Sequence, residues 1–160
     1  FERKRRLGEV LWFYTCCCPG GWYLKRLLDG ALLRVRYLHW ANALYGLTGY
    51  LHWGLNQYQC TNDPYKGAAG KIDTLSPSSL PCGDTHILYP LGERVLTSVR
   101  FEAMRAGCED YELLYMLQQK DARTADRLIK RCIRSFTDYA EDAEIFSRVY
   151  EELLFALSNN

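Results

Sequence analysis

Residues 9–16 read EVLWFYTC and residues 48–55 read TGYLHWGL, and the relation between these two stretches decides the fold. The first is a short, nearly continuous apolar and aromatic run, the pattern of a strand buried on both faces. Pro19, Gly20 and Gly21 then break the chain. From Ala31 to Tyr45 apolar residues recur at Leu33, Tyr37, Trp40, Ala41 and Leu44, a helical spacing, and Gly46 supplies a C′ stop. The second run reads as another strand, Thr48 to Leu55. Strand, helix, strand is a βαβ unit, which predicts parallel strands joined by a right-handed crossover. The expected class is α/β.

Outward from this unit the pattern changes. Residues 56–85 hold Gly, Pro, Ser, Asn and Asp throughout, with no periodicity. Loops longer than about 12–15 residues without structure of their own are usually functional or disordered. His86 to Tyr89 reads as a short strand ended by Pro90. Three helices follow. Ser98 caps the first, which runs to Gln118 with Met104, Cys108, Tyr111, Leu114 and Tyr115 on one face. Asp121 caps the second, whose stripe runs from Leu128 through Cys132, Ile133 and Phe136 to Ala140. The third carries Ile145, Phe146, Val149, Leu153 and Leu157. Residues 1–118 therefore form one unit, and residues 119–160 a C-terminal helical pair. Phe1 to Leu7 reads as the tail of a helix already under way. Two strands cannot make a sheet covered on both faces, so the βαβ unit asks for neighbours, which points to a barrel or a doubly wound sheet cut short. On that reading the chain is a piece of something longer.

Composition narrows the function. Of 160 residues, 48% are hydrophobic and 24% charged, with a net charge of +1, which fits a globular protein and argues against disorder. The balanced charge leaves no electrostatic footprint for nucleic acid, and no apolar window is long enough to span a membrane. The run Arg3-Lys4-Arg5-Arg6 reads as a solvated helix end, since nothing aromatic interleaves it. The 7 cysteines include no C-x-x-C pair, so the expectation is reduced thiols in a reducing compartment, which favours the cytoplasm. Cys108 and Cys132 fall on apolar stripes. Cys16, Cys17 and Cys18 are adjacent; alternation on a strand lets only Cys16 and Cys18 share a metal site. Without a partner pair they read as packing residues at a tight turn, and the reading calls for no metal and no cofactor.

Chemistry in parallel α/β folds sits at the C-terminal ends of strands. Here those ends carry Tyr14 on the first strand and Trp53, Asn56 and Tyr58 on the second, leading into the long loop with Asp84. A Trp face beside Asn and Tyr hydrogen-bonding groups is what a pyranose needs: an apolar platform and fixed partners for hydroxyls. His52 alternates with Trp53, so the two are expected on opposite sides. His39 lies on a helix and reads as structural. Arg100, Glu102, Arg105, Glu109 and Asp110 form a mixed-charge cluster of the kind that makes surface ion pairs, although Arg100 and Glu102 stand where they can brace the sheet end. No nucleophile elbow or phosphate-cradling glycine loop is present.

The string LWFYTCCCPGGWY, then GYLHWGLNQY with Asp63-Pro64, then GD-x-x-x-LYP from Gly83 to Pro90, then SVRFEAMRAGCEDYELL resembles the C-terminal part of the glycoside hydrolase family 123 catalytic domain. That region overlaps a domain of unknown function numbered 4091. The resemblance covers residues 7 to 118. It implies that the chain is the C-terminal fragment of a (β/α)8 barrel, with residues 9–16 and 48–55 its last two parallel strands followed by three helices. It also implies retaining β-N-acetylgalactosaminidase-type hydrolysis of N-acetylhexosamine glycans. In that scheme the substrate's own acetamido oxygen attacks the anomeric carbon, helped by an adjacent Asp–Glu pair. Nothing before residue 7 matches that pair, and Glu109-Asp110 lies in the helix motif instead. The resemblance thus assigns this chain the sugar-contacting wall, Tyr14, Trp53, Asn56, Tyr58 and Asp84, with a carbohydrate partner and no activity on its own. Exposed barrel edges should also favour self-association. The rival reading is a non-catalytic carbohydrate-binding or helical scaffold module.

Overall fold

The computed structural model describes residues 2–58, 63–67 and 80–158. Cys60 and most of the long loop lie outside the described residues. Among the described residues the elements run α1 (Glu2–Arg6), β1 (Trp12–Tyr14), α2 (Leu32–Tyr45), β2 (Gly49–Leu51), α3 (Pro64–Gly67), β3 (Leu88–Leu91), β4 (Arg94–Thr97), α4 (Val99–Lys120), α5 (Ala122–Cys132), β5 (Ile133–Ser135), β6 (Asp138–Tyr139) and α6 (Ala143–Ser158). Mixed helix and strand is the class, with three two-stranded sheets.

β1 and β2 pair in parallel, Trp12 opposite Gly49, Phe13 opposite Tyr50 and Tyr14 opposite Leu51. They are shorter than residues 9–16 and 48–55, and one expectation fails outright. Burial on both faces does not hold: Phe13 is buried, but Trp12 is 57%, Tyr14 45% and Leu51 52% exposed. A parallel pair of this kind lacks the neighbours that would cover its second face.

α2 joins the strands. It has no polar cap at Ala31, and it ends where Gly46 takes φ 62°, a left-handed turn in which the Gly46 N–H returns to the Asn42 carbonyl. Its buried residues lie around much of its circumference, because neighbours cover it on several sides. The most extensive is α4. The two helices come so close at Gly107 that a Cβ there would strike the Arg36 carbonyl oxygen, so only glycine fits.

Just beyond, Asp110 is wholly buried. Arg36 donates to it twice, Nε at 2.6 Å and Nη2 at 2.7 Å, and Trp40 Nε1 donates at 2.8 Å. The Arg36 guanidinium also lies 4.5 Å from the Phe146 ring centroid and 5.1 Å from that of Tyr150, which ties α6 to the same point. Of the stripe expected on α4, Leu114 is buried and Met104 and Tyr111 pack half-buried against the core, while Cys108 and Tyr115 are exposed. The fully inward positions also include Arg100, Gly107, Asp110 and Leu117, so buried charges shift the inward face from its apolar reading. Cys108 Sγ instead stands 3.2 Å from His39 Nε2 at the edge of the α2–α4 contact.

Both predicted caps form: Ser98 Oγ accepts from the Phe101 N–H, and an Asp121 carboxylate oxygen from the Thr124 N–H. The second long helix is shorter than its stripe. α5 stops at Cys132, and β5 and β6 form a small hairpin in which Arg134 clasps Asp138 and Ser135 Oγ accepts from the Thr137 N–H. The apolar residues point inward regardless. Ile133 is buried, and Phe136 stacks on Tyr45 at 4.7 Å and meets Phe13 at 5.0 Å. A hairpin with inward side chains satisfies the same stripe.

The core unites Leu38 and Trp40 of α2 with Leu114 of α4, Leu128 of α5 and Val149 of α6, so it crosses residue 118 without a break. Each large apolar side chain so buried contributes about 1.5–3 kcal/mol. The strand expected over His86–Tyr89 begins two residues later and runs through Pro90, with β4 completing a hairpin. Pro90 is tolerated because each strand of an isolated hairpin has one unpaired side.

Candidate sugar-facing site at the strand ends

The C-terminal ends of β1 and β2 lie side by side, and two further segments close on them. The loop before α2 brings Arg26 inward, and residues 80–87 bring Asp84. Both loops are held by Arg100 in the first turn of α4. This buried guanidinium donates through Nη1 to the Arg26 carbonyl at 2.8 Å and the Gly83 carbonyl at 2.7 Å, and through Nη2 to the His86 carbonyl at 2.8 Å. Arg100 thus does brace this end. Glu102 does not: it is only half-buried and pairs with Arg105.

Asp84 is fully buried, and two rings converge on it. Trp53 Nε1 donates to Oδ2 at 2.9 Å, and His52 Nε2 stands 3.3 Å from Oδ1. The expected opposition of His52 and Trp53 is therefore overturned. β2 ends at Leu51, so residues 52 and 53 leave the pleat and alternation no longer governs them.

The proton on His52 follows from its partners. Nδ1 accepts from Arg26 Nη2 at 2.7 Å and from the Gly54 N–H at 3.1 Å, which leaves Nε2 to carry the hydrogen that faces Asp84. Burial pushes the His52 imidazole below its ordinary range, against the pull of Asp84 and with the help of the Arg26 charge, so the ring is neutral. Burial also lowers the Arg26 guanidinium, to about 10, where it still holds its proton at neutral pH. For Asp84 burial acts the other way, and the facing His52 N–H, the Trp53 hydrogen bond and the Arg26 charge outweigh it, holding the carboxyl below its usual value.

The His52 ring lies 6.3 Å from the Tyr14 ring and 6.3 Å from the Trp53 ring, so it links the two aromatic residues at the strand ends. Asn56 is bridged to His86, and the Gln57 N–H donates to the Thr85 carbonyl at 3.1 Å, which zips residues 56–58 to the Asp84 loop. Asn56 is exposed; the Tyr58 hydroxyl is spent on the Leu88 carbonyl at 2.8 Å. The structure thus gathers Trp53, Asn56, Tyr58 and Asp84 around one loop junction, with Tyr14 beside His52. Arg26 went unread in the sequence, because a single polar residue outside a motif carries no periodic signal, and alternation alone turned His52 away from the site it joins.

On the other side of Asp84 stand two thiols. Cys16 Sγ, Cys17 Sγ and a carboxylate oxygen of Asp84 lie within 4.8 Å of one another, with metal-ligating chemistry among the described residues. Strand alternation, which would let only Cys16 and Cys18 share a site, does not govern these residues, since β1 ends at Tyr14 and the cysteines follow it on a turn. No helix among the described residues is long and apolar enough to cross a membrane. No curated protein matches the chain. The catalytic domain of glycoside hydrolase 123 matches residues 1–117, which takes in β1, β2, Arg26, Asp84 and all but the last turn of α4. The chain therefore belongs to glycoside hydrolase family 123.

Proposed function

We propose that the chain is the C-terminal part of a glycoside hydrolase (β/α)8 barrel, with β1 and β2 its last two strands and the rings of Tyr14, His52 and Trp53 turned to the sugar. The parallel pairing that brings Tyr14 and Trp53 to the same end of the sheet carries this reading. The exposed Trp12, Tyr14 and Leu51 support it, because strands of a parallel barrel are normally covered on both faces, and here one face has no packing partner and each strand has a free edge. Without those neighbours the same edges favour self-association.

The substrate is an N-acetylhexosamine-type glycan, with β-N-acetylgalactosaminide the leading choice, hydrolysed with retention. The acetamido oxygen of the sugar attacks the anomeric carbon, and an Asp–Glu pair from an earlier strand orients it and protonates the leaving oxygen. In this scheme Trp53 and Tyr14 offer apolar faces to the ring, and Asn56 and the Tyr58 edge meet its hydroxyls. Asp84 is a positioning residue: enclosed by protein, it fixes the indole through Nε1 and acts on the sugar only through Trp53.

Calorimetric titration of the chain with methyl β-N-acetylgalactosaminide tests the platform. Trp53→Ala should weaken binding at least tenfold, about 1.4 kcal/mol. Equal affinity in the variant would remove Trp53 from the site.

A further inference from the structure

We propose that Cys16, Cys17 and Asp84 form a binding site for a zinc-type divalent cation that fastens the turn after β1 to the loop carrying Asp84. The site does not depend on the glycosidase reading. Two thiolates bound to one tetrahedral zinc at about 2.3 Å each must lie about 3.8 Å apart. Cys16 Sγ and Cys17 Sγ are 3.7 Å apart, and a carboxylate oxygen completes a triangle within 4.8 Å. A cation can enter this triangle with small movements of three side chains.

A second observation points to a missing partner. Asp84 Oδ1 is closed to solvent and makes no well-aligned hydrogen bond, although the carboxylate is wholly buried. A buried carboxylate with spare acceptor capacity costs free energy until something positive meets it. His52 is no rival ligand, because its Nδ1 is committed to Arg26 and Gly54 and its Nε2 bears hydrogen. The set is therefore two sulfurs, one oxygen and a fourth position reached past the half-exposed Cys17, open to water.

The surroundings suit a charged complex. The Cys18 N–H points at Cys16 Sγ at 3.4 Å, a backbone donor to the sulfur. Binding exchanges two thiol protons for one cation: with two thiolates and one carboxylate around a +2 ion, the complex carries one negative charge. The Arg26 guanidinium stands within the same network to balance it. Thiolate ligands select zinc, cadmium or cobalt over magnesium and calcium.

The test uses the full chain, reduced and freed of metal with a chelator, then titrated with Co2+. The expected result is thiolate-to-cobalt absorption that saturates at one ion per chain and is displaced by Zn2+. Cys17→Ser should lose at least half of that absorption and bind cobalt at least tenfold more weakly, while Cys18→Ser and Cys108→Ser behave as wild type. Asp84→Asn should bind at least tenfold more weakly; should it fail to fold, Cys17→Ser decides alone. Absence of the charge-transfer band in the reduced chain, or an unchanged band in Cys17→Ser, would overturn the proposal.

Discussion

Two fully buried aspartates, Asp110 and Asp84, sit at opposite ends of the argument. Asp110 has every oxygen engaged, by the Arg36 fork and the Trp40 indole, between helices that come together at Gly107. Asp84 has one well-aligned side-chain donor, Trp53 on Oδ2, while its Oδ1 faces His52 without a good hydrogen bond, and one of its two oxygens lies within 4.8 Å of two thiols. The first carboxylate is a finished structural joint. The second keeps unused acceptor capacity at the mouth of the strands, which proteins retain where something else is to be held. What separates a structural buried charge from a functional one here is the number of partners left unfilled.

The largest effect should come from breaking the finished joint. Asp110→Asn leaves the Arg36 guanidinium half-paired, and by the behaviour of buried ion pairs it should cost about 3–5 kcal/mol in a denaturant melt. Asp84→Asn keeps an acceptor for Trp53 and should cost less, about 1–3 kcal/mol. The comparison breaks if position 84 proves the costlier of the two.

A smaller effect distinguishes the sites by pH. Burial lowers His52, as it does His39 and His86, so the unfolded chain takes up protons near its ordinary value of about 6.5 while the folded chain does not. The folded state then binds fewer protons, and stability falls as pH drops below about 6.5, by less than about 1.4 kcal/mol per unit for each histidine. Melting temperatures at pH 7.5 and 5.5 should show the drop, and His52→Gln should reduce it. An unchanged drop would mean that His39 and His86 account for all of it. Asp84 stays ionised through that window, because its carboxyl is held low.

Features set by local chemistry were legible in the sequence. The Gly46 stop, the Ser98 and Asp121 caps and the parallel strand pair each depend on residues close in the chain or on a period that survives packing. The buried polar residues were not. Arg100 and Asp110 look in sequence like members of a surface charge cluster, and only the fold reveals which of that cluster turned inward. The same holds at the site: Tyr14, Trp53 and Asn56 could be picked out by type, but the convergence of His52 and Trp53 on one carboxylate depends on where β2 stops. The end of α5 was hidden for another reason. A helix and a hairpin both satisfy the stripe from Leu128 to Phe136, and the polar clasp of Arg134 on Asp138 favours the hairpin.

That hairpin reaches back to the beginning of the chain. The Leu24 N–H donates to the Phe136 carbonyl at 2.9 Å and the Tyr139 hydroxyl to the Trp22 carbonyl at 2.8 Å, so residues 136–139 grip the segment that delivers Arg26 to His52. Trimming the protein to its family-matched span would release that grip and lay bare the Trp40 side of α2 to water. The catalytic-domain boundary drawn by sequence kinship is thus not a mechanical boundary, and the tail beyond it serves as the backrest against which the histidine is held.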